Sequence, residues 1–318
     1  MQSIICGSGS YLPENLVTND ELAKTVETND LWVQSRTGIK QRYIAKDGEL
    51  TSHMAANAAQ KAIDNAKIDK QVIDLIIVAT TTADRTFPAT AVNVQKILEI
   101  EKCAAFDVQA VCAGFIYALT TANCFIKSGQ AKNILVIGAD KMSSIVDWND
   151  RKTCILFGDG AGAVIVSASD NSESGIIATD IESDGRYQDI LQTDGGIGLS
   201  GTAGKVRMEG QEVFKHAVSK MSGCVKNLLK ENSLSTNDIN YLIPHQANSR
   251  IMEMVAKKLR IEDNRVISTV DQHANTSAAS IPLAIDYANQ NGLLKSGDLI
   301  AFTAIGGGLA WGAGLVRW

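Results

Sequence analysis

The sequence predicts an α/β fold in which two similar βαβαβ-type halves pack around a pseudo-twofold axis. Three observations carry this reading. Apolar runs at Asp74-Leu-Ile-Ile-Val-Ala-Thr, Asn133-Ile-Leu-Val-Ile-Gly-Ala and Ala163-Val-Ile-Val-Ser have the near-continuous hydrophobicity of strands buried on both faces. Helical segments alternate with them, Ser52–Ala66 before the first run and Cys112–Ser128 before the second, the latter stopped by Gly129. Finally, the order strand, loop, helix, strand, Gly-rich turn, strand occurs twice. Strands and helices alternating in this way require a helix-covered sheet.

The first pass runs from Asp74 into a helix beginning near Ala89. The second runs from Ile239-Asn-Tyr-Leu-Ile-Pro-His-Gln-Ala-Asn into a helix reaching Arg260. Ala161-Gly-Ala-Val-Ile-Val, after a Gly-rich turn, parallels Trp311-Gly-Ala-Gly-Leu-Val after Gly306-Gly-Gly. A duplicated core places a site at the junction of its halves. Polar residues cluster over Ser167–Ser174, so the halves are 1–170 and 171–318.

Composition narrows the function. With 30 Lys+Arg against 35 Asp+Glu, the net charge of −5 argues against generic nucleic-acid binding. Twenty-six glycines against four prolines indicate tight turns and close backbone approaches, not linkers. Two uncharged stretches, between Asp107 and Lys127 and from Leu299 to Val316, approach the roughly 20 residues of a membrane span but carry polar or glycine interruptions and read as buried core. The start, MQSIICGSGSYLP, lacks the basic and apolar regions of a signal peptide, which makes the cytoplasm the expected compartment. Six cysteines without a Cys-x-x-Cys or a zinc-like Cys/His spacing fit a reducing compartment.

One cysteine has a distinctive setting. Cys112 lies where an extended segment meets a helix, and the partial positive charge of a helix start favours a thiolate. Its bland alternative is a buried core cysteine. His245 follows a buried strand in Tyr241-Leu-Ile-Pro-His-Gln-Ala-Asn, at the strand end that faces the binding crevice in such sheets. Asn275 sits in a polar loop leading to a helix and is either a site residue or an N-cap. His273 is the rival in that loop, while His53 and His216 belong to amphipathic helices. Backbone N–H groups of Gly306-Gly-Gly308, with that of Cys112, can form an oxyanion hole, or the glycines make a hairpin turn. Phe157-Gly-Asp-Gly-Ala-Gly-Ala lacks the Lys-Ser/Thr of a phosphate loop and reads as a tight turn between strands.

Taken together, these residues resemble the β-ketoacyl-[acyl-carrier-protein] synthase III family of thiolase-fold condensing enzymes. The resemblance spans the chain through Gly7-Ser-Gly-Ser-Tyr-Leu-Pro, Trp32-Val-Gln-Ser-Arg-Thr-Gly-Ile, Val111-Cys-Ala-Gly-Phe, Phe157-Gly-Asp-Gly-Ala-Gly-Ala, Pro244-His-Gln-Ala-Asn, Asn275-Thr-Ser-Ala-Ala-Ser-Ile-Pro and Gly306-Gly-Gly. It implies a thiolase-like fold and a catalytic set of Cys112, His245 and Asn275. Elongating relatives carry a second His and thiolases a second Cys, so Asn275 points to the initiating branch or to plant polyketide synthases. Chain length and the N-terminal motifs favour the initiator. The implied activity joins a short acyl-CoA to malonyl-[acyl-carrier protein] with loss of CO2, through an acyl group on Cys112 and without metal or redox cofactor. The resemblance further implies an oxyanion hole at the backbones of Cys112 and Gly307. It places coenzyme A against Trp32, Arg36, Arg151 and Asn248. The acyl carrier protein is implied to dock on Gln246, Ala247, Asn248, Ser249, Arg250, Lys215 and Lys257, with Lys258 and Arg260 extending the charge. A homodimer is implied in which Phe87 enters the partner's acyl tunnel, while Ile305 and Leu309 depart from the aromatics of some relatives and leave the primer open. The alternatives are a related condensing enzyme of secondary metabolism, a nucleotide-binding protein using the glycine-rich segment, and a silent carrier-binding relative.

Overall fold

Two sheets with the same internal order organise the chain, and the computed structural model describes residues 1–171 and 173–318. The first sheet uses β1 (Gln2–Tyr11), β4 (Leu75–Ala79), β5 (Ala104–Val108), β6 (Asn133–Asp140) and β7 (Gly160–Ser169) in the order β1-β7-β6-β4-β5. The second uses β8 (Gly175–Ser183), β11 (Tyr241–Pro244), β12 (Leu299–Gly306) and β13 (Ala310–Arg317) in the order β11-β12-β13-β8. Two-stranded ribbons complete the set: β2 (Asn15–Thr18) with β3 (Gln41–Ile44), and β9 (Leu191–Thr193) with β10 (Val206–Met208).

The two sheets pair alike. β4 runs parallel to β6 and β5, and β6 runs antiparallel to β7, which pairs antiparallel with β1. In the second sheet β11 runs parallel to β12, β12 antiparallel to β13, and β13 antiparallel to β8. A parallel bridge from Leu242 to Val266 stands where β5 stands in the first sheet. The residues between β7 and β8 fall within the polar cluster taken as the boundary.

Alternation along the strands explains the layering. Leu75 and Ile77 of β4 join the central cluster, which holds Phe115 and Ile116 of the helix Gly114–Lys127, Ile281 and Ile285 of the helix Ser280–Gln290, and Ile300 and Phe302 of β12. Ile76 and Val78 face the other way, against the helices Thr51–Ala66 and Thr90–Leu98. Leu299 and Ala301 likewise meet the helices Gly210–Glu231 and Ser249–Leu259. The layers are therefore helix, sheet, helix, sheet, helix. The central helices lie very close to the strands, and Gly162 of β7 shows why: a Cβ there would lie 2.6 Å from Leu283 N in the helix Ser280–Gln290.

The glycine-rich segment differs from its expected form. Gly306-Gly-Gly308 does turn β12 back into β13, but Phe157-Gly-Asp159 joins the helical turn Arg151–Cys154 to β7 and links no adjacent pair of strands. Asp159 is buried and accepts hydrogen bonds from Ala45 N (2.8 Å), Ser143 N (2.8 Å) and Ser143 Oγ (2.6 Å). Its carboxylate is spent on protein donors, and this disfavours a phosphate loop. Among the described residues, no helix is long and apolar enough to cross a membrane.

Candidate active site

Cys112, His245 and Asn275 line one cavity of about 650 Å³, to which both halves contribute. The chain leaves β5 and reaches Cys112 through Val111, whose φ of 49° is rare for a β-branched residue. A 3-10 turn over Val111–Ala113 then enters the helix Gly114–Lys127. Gly306 is required beside this elbow, because a Cβ there would lie 2.7 Å from Cys112 N and 2.7 Å from Ala110 O. Gly307 lines the same cavity, so its backbone and that of Cys112 border one space.

The electrostatics of the thiol run against the sequence expectation. A helix start lowers a thiol pKa, but burial acts in the opposite sense and is larger. It pushes Cys112 up to about 12, opposed by the Ser277 hydroxyl and reinforced by the Asp140 carboxylate. The resting residue is therefore a thiol, and thiolate character has to arise as the electrophile is attacked.

His245 ends β11. Its N–H donates to Thr303 O (2.8 Å), which joins it to β12, and its ring Nδ1 lies 2.7 Å from Ser280 Oγ. Burial lowers its pKa to about 3, so the ring is neutral. Asn275 is held by its backbone: its N–H donates to Leu156 O (2.9 Å) and its carbonyl accepts from Gly158 N (3.0 Å). Its side-chain Oδ1 accepts from Ser277 N (2.9 Å), which leaves the Nδ2 hydrogens free for the cavity. It caps no helix. His273, the rival, is absent from the lining, and burial pushes its pKa down to about 4.

Asp140, fully buried at the end of β6, ties the halves together below the thiol. Its Oδ1 accepts from Thr81 N (2.7 Å), Thr82 N (3.1 Å) and the hydroxyls of Thr80 (3.1 Å) and Thr82 (2.9 Å). Its Oδ2 accepts from Ala278 N (3.2 Å) in the other half. Sequence reasoning missed Asp140 and Ser280. A carboxylate closing the apolar run Asn133–Ala139 was the available signal for the first; for the second there was none local to the chain.

The remaining candidates divide by position. Arg36 lines the cavity, and two guanidinium groups lie over the Trp32 ring, with Arg151 Cζ 4.9 Å and Arg36 Cζ 6.0 Å from its centroid. Asn248 lines the cavity while its Oδ1 caps the helix Ser249–Leu259 through Ile251 N (3.0 Å). Ala247 also lines the cavity, and Ser249 packs against Gly38. Arg250 and Lys257 are exposed on one helix face, and Lys215 is exposed 3.8 Å from Glu212. Phe87 is 82% exposed and lies apart from the cavity. Ile305 lines the cavity and Leu309 is fully buried.

Gln246 is a correction. It is fully buried, with Nε2 donating to Pro244 O (2.7 Å) and Ile267 O (3.3 Å) and Oε1 accepting from Thr269 N (2.8 Å). Its amide is saturated by backbone and has no surface to offer a carrier protein.

Comparison with known proteins agrees with this geometry. Residues 106–185 match the family described as 3-Oxoacyl-[acyl-carrier-protein (ACP)] synthase III, and residues 229–318 match its C-terminal counterpart. A curated relative from Ehrlichia canis (strain Jake), named beta-ketoacyl-[acyl-carrier-protein] synthase III, is 56% identical over 316 residues, covering 99% of each chain. The crystal structure of 3-oxoacyl-[acyl-carrier-protein] synthase III from Aquifex aeolicus VF5 is 47% identical, with a TM-score of 0.95 over 99% of this chain and 100% of that one. A priming beta-ketosynthase of the R1128 polyketide pathway has a TM-score of 0.94 at 30% identity, covering 99% of this chain and 96% of that one.

Proposed function

The chain belongs to the β-ketoacyl-[acyl-carrier-protein] synthase III family, and we propose that its cavity performs the initiating condensation of fatty-acid synthesis. The carrying observation is the convergence of Cys112, His245 and Asn275 on one cavity, with Asn275 Nδ2 left without a protein acceptor among the described residues.

Cys112 Sγ attacks the carbonyl of a short acyl-CoA; the Sγ–C bond forms, the C–S bond to coenzyme A breaks, and the thiol proton leaves with coenzyme A. A malonyl thioester on acyl carrier protein then loses CO2. The electron pair of the broken C–C bond moves onto the thioester oxygen, where the neutral His245 Nε2–H and Asn275 Nδ2–H stabilise it. The carbanion attacks the acyl carbon on Cys112, and the backbone N–H groups of Cys112 and Gly307 hold the tetrahedral oxyanion. Collapse releases Sγ, which takes up a proton. Every step moves an acyl group, CO2 or a proton, so no metal or redox cofactor is invoked.

Substrate approach follows the surface. Trp32 and Arg151 offer stacking faces for a purine, with Arg36 and Asn248 in the cavity wall. Arg250, Lys257 and Lys215 supply cations for an acidic carrier protein. β5 is an edge strand of its sheet and Phe87 is exposed, which supports a homodimer that covers both. The cytoplasm is the compartment in which these substrates and reduced cysteines fit. The secondary-metabolism reading has no observation of its own, and identity to the Ehrlichia canis and Aquifex aeolicus synthases (56% and 47%) exceeds that to the polyketide ketosynthase (30%).

Incubation with acetyl-CoA and malonyl-[acyl carrier protein] tests the proposal. It predicts β-ketoacyl-carrier protein, coenzyme A and CO2 in equal amounts; hydrolysis of acetyl-CoA without carbon–carbon bond formation contradicts it.

A further inference from the structure

We infer that Ser280 is a positioning residue that fixes the tautomer of His245, and with it the ability of the ring to donate into the cavity. The inference rests on the proposed reaction, which needs Nε2 protonated, but it is carried by geometry of its own.

The ring and the hydroxyl are each 2% exposed, so bulk water does not compete for them. Ser280 Oγ lies 2.7 Å from His245 Nδ1, a short contact in which either atom can donate. The rest of the hydroxyl's surroundings decide the direction. Gln246 N–H already donates to Ser280 Oγ at 3.3 Å, which uses one of its lone pairs. Among the described residues, the only acceptor within hydrogen-bonding reach of the Ser280 proton is His245 Nδ1. If Nδ1–H donated instead, Ser280 Oγ would receive two donors and its own proton would be buried without a partner, a cost of about 1–3 kcal/mol. The proton therefore points at Nδ1. A neutral imidazole that accepts at Nδ1 carries its hydrogen at Nε2.

The scaffold keeps Ser280 in place. It opens the helix Ser280–Gln290, directly after the 3-10 turn Ser277–Ala279, whose Ala278 N–H is bound by Asp140. Gln246, adjacent in sequence to His245, is locked by Pro244, Ile267 and Thr269. Both partners of the 2.7 Å contact are thus anchored independently. One serine accepts from the backbone of the strand end and donates to the ring, so it sets both the plane and the protonation pattern of His245.

The test reads the tautomer directly. The chain has four histidines, so protein labelled with nitrogen-15 histidine gives a spectrum that His245→Gln assigns. The wild type is expected to show a protonated Nε2 and a bare Nδ1 whose shift is displaced by an accepted hydrogen bond. Ser280→Ala is expected to mix the tautomers and to lower kcat for malonyl decarboxylation by roughly 10- to 100-fold, with KM little changed. Ser280→Thr, which keeps the hydroxyl, restores the wild-type spectrum. A wild type protonated at Nδ1, or a tautomer unmoved in Ser280→Ala, overturns the inference. Should Ser280→Ala not fold, the Nδ1 shift of the wild type decides alone: an accepted hydrogen bond supports the inference and a free nitrogen overturns it. A wild type with the expected spectrum but no decarboxylation would instead remove the functional reading.

Discussion

Val111 and Ser277 occupy matching places in the two halves. Each has a left-handed backbone, with φ of 49° and 53°, and each opens a three-residue 3-10 turn that runs into a central helix. Cys112 follows the first and Ala278 the second. One elbow therefore presents the sulfur, while the other presents a methyl group and uses its N–H to bind Asp140.

The strain at Val111 has a measurable consequence. A non-glycine residue in this conformation costs roughly 1–3 kcal/mol, and glycine gives back about 0.5–1 kcal/mol through chain entropy. Val111→Gly is expected to raise unfolding stability by about 1 kcal/mol while lowering kcat for acyl transfer. Denaturant unfolding alongside turnover checks both. A loss of stability would mean that packing by the side chain outweighs the strain.

Asn275 should divide the half-reactions. With Oδ1 engaged by Ser277 N, the side chain contributes only Nδ2 to the cavity. Removing one such donor costs on the order of 10²–10³ in rate. Asn275→Ala is expected to show that loss in malonyl decarboxylation and a much smaller one in acylation of Cys112. Equal losses in the two assays would make Asn275 a structural residue.

Buried neutral histidines make the fold acid-sensitive. The folded pKa values of His245 and His273 lie at about 3 and about 4, below the ordinary 6.5. Between pH 6.5 and those values the unfolded chain binds more protons, so acid favours unfolding by up to about 1.4 kcal/mol per pH unit for each ring. This contribution is present above pH 6.5 and is lost on the way down. Urea midpoints from pH 7 to 4.5 should fall less steeply in His273→Gln than in the wild type. Parallel slopes would show that the ring titrates alike in both states.

Carrier docking should depend on two exposed cations. Arg250→Glu combined with Lys257→Glu is expected to raise KM for malonyl-[acyl carrier protein] roughly 10-fold at low salt, since each exposed pair is worth up to about 1 kcal/mol. The salt dependence should shrink, and acylation by acyl-CoA should change little. Steady-state kinetics at two salt concentrations decide it, and unchanged low-salt kinetics would place docking elsewhere.

The strands were readable in the sequence because Leu75–Ala79 and its neighbours are apolar on both faces, a pattern that needs no partner to be seen. The elbow at Cys112 was readable from the change of period around it. Properties set by distant chain segments were not. The helix start beside Cys112 is local, but the burial that overrides it comes from both halves. Gln246 reads as a surface residue until Ile267 and Thr269 fold onto its amide. Asp159 sits in a glycine-rich string whose purpose depends on Ala45 and Ser143. Ser280 meets His245 across 35 residues, and nothing in either neighbourhood announces the contact.

Intact-mass spectrometry after exposure to acetyl-CoA, propionyl-CoA and branched acyl-CoA tests the central claim most directly. The account predicts one acyl group per chain for the preferred primer, with loss of the adduct in Cys112→Ser and retention of the folded state. An acyl group of the same stoichiometry on Cys112→Ser would contradict it.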